Sequence, residues 1–569
     1  MPTQQYAVAD NADTAVNGSG DTITVKVEMS ELSDIRALLI EPHQGMRVSL
    51  HNMLNLCGIT KIEHALTAGT AVRSIQGKVF DLVLCEYDLG VGQDGQQLLE
   101  DVRHHKLTPL STIFIMVTAE RSYAKVVSAA ELAPSDYLLK PFTADMLLER
   151  VVRALEKRKA FVEVHALMEQ GAIVEAILAC HHGERDYPKY AIDFMRLRAE
   201  LHVIQGEAEE AEALYVHLFE LKAVAWARLG LAKTLFMQGK YQQAEDILKN
   251  LVAENSKYMD AYDWLAKTHE MIGQLPEAKV VLDTAVSVSP HAVRRLRNLG
   301  RIAMETGDIE TAEDVFKKVV SKAKFSEFRD PEDHMNLVGA LVKKGDTDQA
   351  KSVIRDMEKN MSGLKKTAAC RAISAAMVHA KTGDVRLSEE LGAAVVASRE
   401  DIGLSTGAKL GLAKSCLDND QEGDASEIIL DVMKNASSQQ VMTRALGVFE
   451  SAGKGHLGKE LAQRSQKEVM DLVALGVQKA KQGDFRGSVD LMTAAARKSP
   501  DNPQVVMNAA LAALKCLENL GWDQTVGEQA KMLIESARRL DPMNPRLKAI
   551  RGLYNEMQKK YGITNRSVK

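Results

Sequence analysis

Cysteine is scarce and never paired in the sequence: Cys57, Cys85, Cys180, Cys370, Cys416 and Cys516 are scattered through 569 residues with no CxxC. That excludes a disulfide framework and a cysteine zinc site, and it suits a reducing, cytoplasmic compartment. Long apolar runs are also missing. No stretch approaches 18 consecutive apolar residues, and residues 1–33 carry no basic segment ahead of an apolar core, so neither membrane insertion nor secretion is expected. Charge of one sign is lacking, since 72 Lys and Arg stand against 77 Asp and Glu for a formal net charge of −5. With no basic runs interleaved with aromatics, nucleic acid is not an expected partner. The signatures GxxxxGK[ST], HExxH and GxSxG are absent, and no enzyme is expected.

What is present divides the chain in two. A length of 569 residues exceeds what one hydrophobic core fills, so several domains or a repeat array are implied. Residues 1–33 are polar, with NGSG at 17–20, and read as a mobile tail that buries too little apolar surface to offset ordering. From residue 36 short apolar runs predict strands at 37–40, 61–65, 82–86, 111–118 and 136–139. They alternate with helical patterns near 46–56, 68–75, 95–104 and 123–130, and from 143 onward. This is the pattern of an α/β doubly wound parallel sheet over 34–159, with its functional groups at the carboxyl ends of the strands. Those ends carry Glu41, Glu86, Thr118 and Lys140.

The segments FDLVLCE at 80–86, MVTA at 116–119 and DYLLKPF at 136–142 resemble the receiver domain of bacterial two-component response regulators. The resemblance implies a flavodoxin-like fold, an acidic pair after the first strand for Mg²⁺, an Asp after the third that accepts a phosphoryl group, and a Thr and a Lys that bind its oxygens. Thr118 and Lys140 match. The acidic pair is replaced by Glu41-Pro42 and the acceptor position holds Glu86. The extra methylene of Glu shifts the nucleophilic oxygen by roughly a bond length, and in-line attack loses on the order of 100-fold for about 1 Å. A degenerate receiver with no cofactor is therefore expected, and the lost carboxylate argues against Mg²⁺. Two readings of Glu86 stay open: it reaches toward Lys140 and Thr118 and imposes an activated-like state, or it simply ion-pairs with Lys140 and stabilises the fold. Asp88 is a third, weaker acceptor candidate. Tyr137 falls where receivers carry a switching aromatic, and equally where an edge strand packs one.

Beyond residue 157 the pattern is helical and repetitive. A Gly followed five residues later by Ala recurs at Gly171, Gly206, Gly239, Gly273, Gly307 and Gly345, with spacings of 35, 33, 34, 34 and 38. Weaker copies follow at Gly383, Asp420, Gly453 and Gly483. A period near 34 predicts helix–turn–helix units, with Gly at a turn that needs positive φ and the small residue allowing close packing. Leu299-Gly300, Gly307, Ala312 and Phe316 resemble the tetratricopeptide repeat. The resemblance implies about eleven helical pairs over 157–543 in an all-α superhelical solenoid, then a capping helix and tail over 544–569.

In that family the first helix of each pair lines the concave face. Before Gly239 the lining positions include Trp226, Leu229 and Phe236, and before Gly307 they are Arg294, Arg297, Arg301 and Met304. The arginines either receive an acidic protein segment or pair with acids of the neighbouring repeat. The histidines of Cys180-His181-His182 point in different directions and read as a solvated helix end, and His104-His105 as a surface turn. Function is expected to be that of a signalling adaptor whose solenoid binds proteins, with sensor kinases or other two-component proteins as the implied partners. The alternative is a working regulator whose phosphorylation switches the solenoid. Residues 143–170 contain no Gly and no Pro, so the last receiver helix and the first repeat helix are expected to be one rod.

Overall fold

The computed structural model describes residues 27–90, 92–119, 135–221, 224–290, 292–324, 328–384, 386–399 and 403–563. The expected helix at 123–130 and most of the expected tail lie outside them. Five strands, β1 (Arg36–Ile40), β2 (Lys61–Ala65), β3 (Leu82–Glu86), β4 (Ile113–Thr118) and β5 (Asp136–Leu139), form a parallel sheet in the order β2-β1-β3-β4-β5. The sequences LVLCE of β3 and IFIMVT of β4 are buried throughout, as the central strands of a sheet covered on both faces must be. Helices α1 (Gln44–Leu56), α2 (Ala68–Gly77) and α3 (Gly95–His104) connect them. The strand order reverses between β1 and β3, and the crevice at their carboxyl ends is where this topology places a site.

Helix α4 (Ala144–Glu169) is the expected single rod of 26 residues, about 39 Å long at 1.5 Å per residue. Thr143 caps it by accepting from the Met146 amide at 3.3 Å. Its amino-terminal half puts Leu147, Val151 and Leu155 into the core under the sheet. Its carboxyl-terminal half puts Ala160, Phe161 and Val164 into the core of the first repeat, where Phe161 stacks on Phe194 at 3.9 Å. Each buried Leu, Val or Phe adds about 1.5–3 kcal/mol, so one rod belongs to two cores at once. Its charges divide likewise, Arg158 pairing with Asp81 of the sheet at 2.7 Å and Lys157 with Asp193 of the repeat at 2.8 Å.

Helices then pair as far as Gln524–Leu540, followed by Pro545–Lys560. All nine turn glycines foreseen from the spacing have positive φ, from 71° to 97°, and Asp420 takes the same place at 57°; Asp is among the few other residues that tolerate this region. The partner alanines, Ala176 through Ala350, are fully buried. One departure is the helix Gly455–Lys481, 27 residues long, which serves as second helix of one pair and first of the next. Its two internal glycines, Gly458 and Gly476, both lie within helix, Gly458 against the Phe449 side chain and Gly476 against Met492.

The array also turns back on itself. Arg444 Nη2 crosses the hollow to Glu305 Oε1 at 2.9 Å. At its ends, Arg551 Nη1 donates to the Gln205 carbonyl at 3.1 Å, and a Cβ on Gly206 would lie 1.7 Å from the Pro542 carbonyl oxygen. The last helices therefore close against the second repeat.

Asp308 illustrates how one pair is tied to the next. Its carboxylate accepts from the Thr311 amide at 3.1 Å and pairs with Lys279 of the preceding repeat at 2.8 Å. The Lys279 ammonium, then the Thr311 donors, hold this carboxyl at about 2, below its ordinary 3.8. Asp308→Ala is expected to cost the solenoid about 1 kcal/mol, the usual value of an N-cap, read as a lower urea midpoint. Because the folded value is depressed, the contribution is complete above the ordinary value and disappears as pH falls toward 2.

Candidate functional site

The strand ends converge as the sheet topology requires. Glu41, directly after β1, is fully buried, and Glu86, the last residue of β3, is nearly so. Lys140, directly after β5, is held by its amide donating to the Thr118 carbonyl at 2.8 Å. Its Nζ sits between the two acids, donating to Glu41 Oε2 at 3.0 Å and to Glu86 Oε2. The outer oxygens are satisfied by backbone: Glu41 Oε1 accepts from the His43 amide at 3.0 Å, and Glu86 Oε1 from the Tyr87 amide at 2.7 Å. Two buried carboxylates and a partly buried ammonium thus form one hydrogen-bonded triad. Thr118 lies beside it, 1% exposed at the end of β4.

The donor set does not fit the Mg²⁺ that the fold suggests. Pro42 offers only its carbonyl, which accepts from Arg47 at 3.0 Å, and both carboxylates that could ligate a cation already share the Lys140 ammonium. A hard dication prefers a nearly complete shell of oxygens. The Asp88 carboxylate accepts from the Gly90 amide at 2.9 Å, and the Asp88 amide donates to Glu86 Oε1 at 3.3 Å. Tyr137 is half-buried and packs against the core that includes Leu98, Phe114 and Met116.

The triad is mechanically joined to α3. The Gly95 amide donates to the Tyr87 carbonyl at 2.7 Å, and a Cβ on Gly95 would meet the Glu86 carbonyl oxygen at 2.3 Å. Only glycine lets the helix start this close to the strand end that carries Glu86.

On the solenoid, the groove positions separate. Trp226 is half-buried with Arg196 over its ring at 5.2 Å. Phe236 is in edge contact with Trp264 at 5.3 Å and carries Lys267 over its ring at 5.0 Å. Leu229 lies in the core with Leu248 and Leu265, 3% exposed, and does not line the groove: ten positions before the turn, this helix faces its partner. Arg301 pairs with Glu270 of the preceding repeat at 2.6 Å, whereas Arg297 forms a two-pronged bond with Asp333 of the following one, 2.7 Å on each prong. Arg294 is exposed and faces Glu100 of α3. Sequence reading missed Arg295, which is 3% exposed and grips Asp263 at 2.7 and 2.8 Å. His181 and His182 are exposed in the last turns of the helix Ile173–Asp186, while Cys180 and Gly183 are buried, Gly183 against the Phe194 ring. His104 and His105 are exposed at the end of α3, and His105 also stacks on Phe328 of the solenoid at 3.6 Å.

Sheet, strand-end triad and helical repeats define the class, a receiver domain joined to a tetratricopeptide-like solenoid, which points to a protein-interaction module related to two-component signalling. Residues 37–152 match the response regulator receiver domain, and residues 225–249 and 296–321 each match the tetratricopeptide repeat. The chain is similar to chemotaxis protein CheY of Pseudomonas aeruginosa, 29% identical over 124 residues, 22% of this chain and 98% of that one. It is 27% identical over 125 residues to CheY-3 of Vibrio cholerae, covering 22% and 94%. A tetratricopeptide repeat protein from Parabacteroides merdae aligns over 45% of this chain and 96% of its own at 15% identity, with a TM-score of 0.31.

Proposed function

We propose that this chain is a non-enzymatic cytoplasmic adaptor of a two-component pathway, in which a receiver that is not phosphorylated positions a protein-binding solenoid. The observation that carries the reading is the Lys140 ammonium shared by Glu41 and Glu86. The lysine that would stabilise a phosphoryl oxygen is engaged by a carboxylate in the acceptor's own place, so the pocket already holds a negative charge against its cation. The likeness to two chemotaxis receivers supports sensor kinases or other two-component proteins as partners, and the positions of Glu86 and Pro42 support docking without transfer.

Incubation of the full chain with acetyl phosphate and Mg²⁺ is expected to leave its mass unchanged. Stoichiometric gain of a phosphoryl group on Glu86 or Asp88 would overturn the reading in favour of a phosphorylation-switched regulator.

A further inference from the structure

Among the described residues, the receiver touches the solenoid at the coupler and again far along the chain. At the coupler, the Leu110 amide donates to Glu169 Oε1 of α4 at 2.8 Å. Far along the chain, the flank of α3 lies against the start of the helix Val293–Glu305, the end of the next helix at Lys322, and Phe328. Gln97 Nε2 donates to the Lys322 carbonyl at 3.4 Å, His105 stacks on Phe328, and Phe328 packs against the receiver core. The Glu100 carboxyl meets the Arg294 backbone N–H and the charges of Arg294 and Arg297. A cleft of about 340 Å³ separates the two surfaces, with Asp101, His104 and Asn298 in its walls.

The chemistry of this contact is that of a ligand on a receptor. A helix amino terminus that carries an exposed Arg294 suits a carboxylate, and Glu100 of the receiver supplies it, while the Arg297 fork is held by Asp333 within the solenoid. We propose that the receiver is a built-in competitor for this end of the groove: α3 occupies Arg294 and the amino terminus of its helix in cis, and an outside protein segment presenting carboxylates reaches them only by displacing it. The proposal rests on the protein-binding reading above for the solenoid, and not on the chemistry of the receiver pocket.

The balance of forces suits a displaceable latch. Burial, then the neighbouring Asp101, raises the Glu100 carboxyl above its ordinary value by more than Arg294 and Arg297 lower it. Its charge therefore loses more to desolvation than the arginines return. A longer acidic segment, free to remain partly hydrated, exchanges for it without having to break a strong bond. The latch is also tied to the triad, because α3 begins on the backbone of the strand end that carries Glu86.

The test compares the wild-type full chain with Glu100→Lys, which sets a cation against Arg294 and Arg297, and with Phe328→Ala, which leaves the receiver sequence intact. Hydrogen exchange of residues 95–104 and 293–298 is expected to speed up at least tenfold in both variants. A deca-glutamate peptide is expected to bind both at least tenfold more tightly than wild type. Adding Arg294→Glu to Glu100→Lys is expected to restore protection by swapping the pair. Unchanged exchange in Phe328→Ala, or equal peptide binding to Phe328→Ala and wild type, would overturn the proposal, and Phe328→Ala decides should the Glu100 variant fail to fold. A chain that accepts phosphoryl on Glu86 would sink the pseudo-receiver reading and leave this result as it stands.

Discussion

Lys140→Met is expected to weaken the receiver by about 3–5 kcal/mol, the typical cost of removing one partner from a buried charge network. Glu41 is fully buried and the Glu86 side chain 9% exposed. Without the ammonium they face each other as two carboxylates with no cation between them. The measurement is hydrogen exchange of β3 in the full chain as urea is raised, since β3 is central in the sheet and its exchange reports the opening of the whole domain. The triple variant with Glu41→Gln and Glu86→Gln is expected to recover most of the loss, because amides can bond to one another without a counter-ion. Were Lys140→Met alone to leave exchange unchanged, the triad would be solvated in solution and the pocket free for other chemistry.

Inserting Gly-Gly after Ala160 is expected to have a comparable effect at longer range. Two residues turn the downstream half of α4 by roughly 200°, so Phe161 and Val164 leave the first repeat's core, where Phe161 stacks on Phe194. Each glycine adds about 1 kcal/mol of helix cost. The expected readout is a larger radius of gyration in solution scattering together with rapid proteolysis near residues 173–186. Inserting seven alanines returns the face to within about 20° while lengthening the rod by about 10 Å. It is expected to keep the first repeat folded while drawing the receiver away from the solenoid, so that the Leu110–Glu169 and His105–Phe328 contacts are lost. If both insertions leave scattering and proteolysis unchanged, the rod is not what sets their arrangement.

The parts of this molecule that could be read from the sequence are those governed by local rules. A turn glycine declares itself because little else adopts positive φ, and nine of them with Asp420 mark the repeat in the sequence. The rod was legible from the lack of breakers over 143–170, and the convergence of Glu41, Glu86, Thr118 and Lys140 from the rule that strand ends share one edge. What could not be read depends on how far each repeat rotates against the next. That rotation gives Asp333, and not an acid of the preceding repeat, to Arg297; it buries Arg295 on Asp263 and turns Leu229 inward. The stacking of His105 on Phe328 joins residues more than two hundred positions apart, and no periodicity announces such a pair.

The closure of the array at Gly206, Pro542 and Arg551 has a consequence for how the molecule behaves in company. An open solenoid has two dissimilar ends that fray independently; here each end is the other's lid, so neither can melt without exposing its mate. The joint is head-to-tail, and such a contact can form as well between chains as within one. What keeps it internal is proximity, since the tethered ends see each other at an effective concentration that free chains reach only near the millimolar range. The seam thus decides between a closed ring and a growing thread.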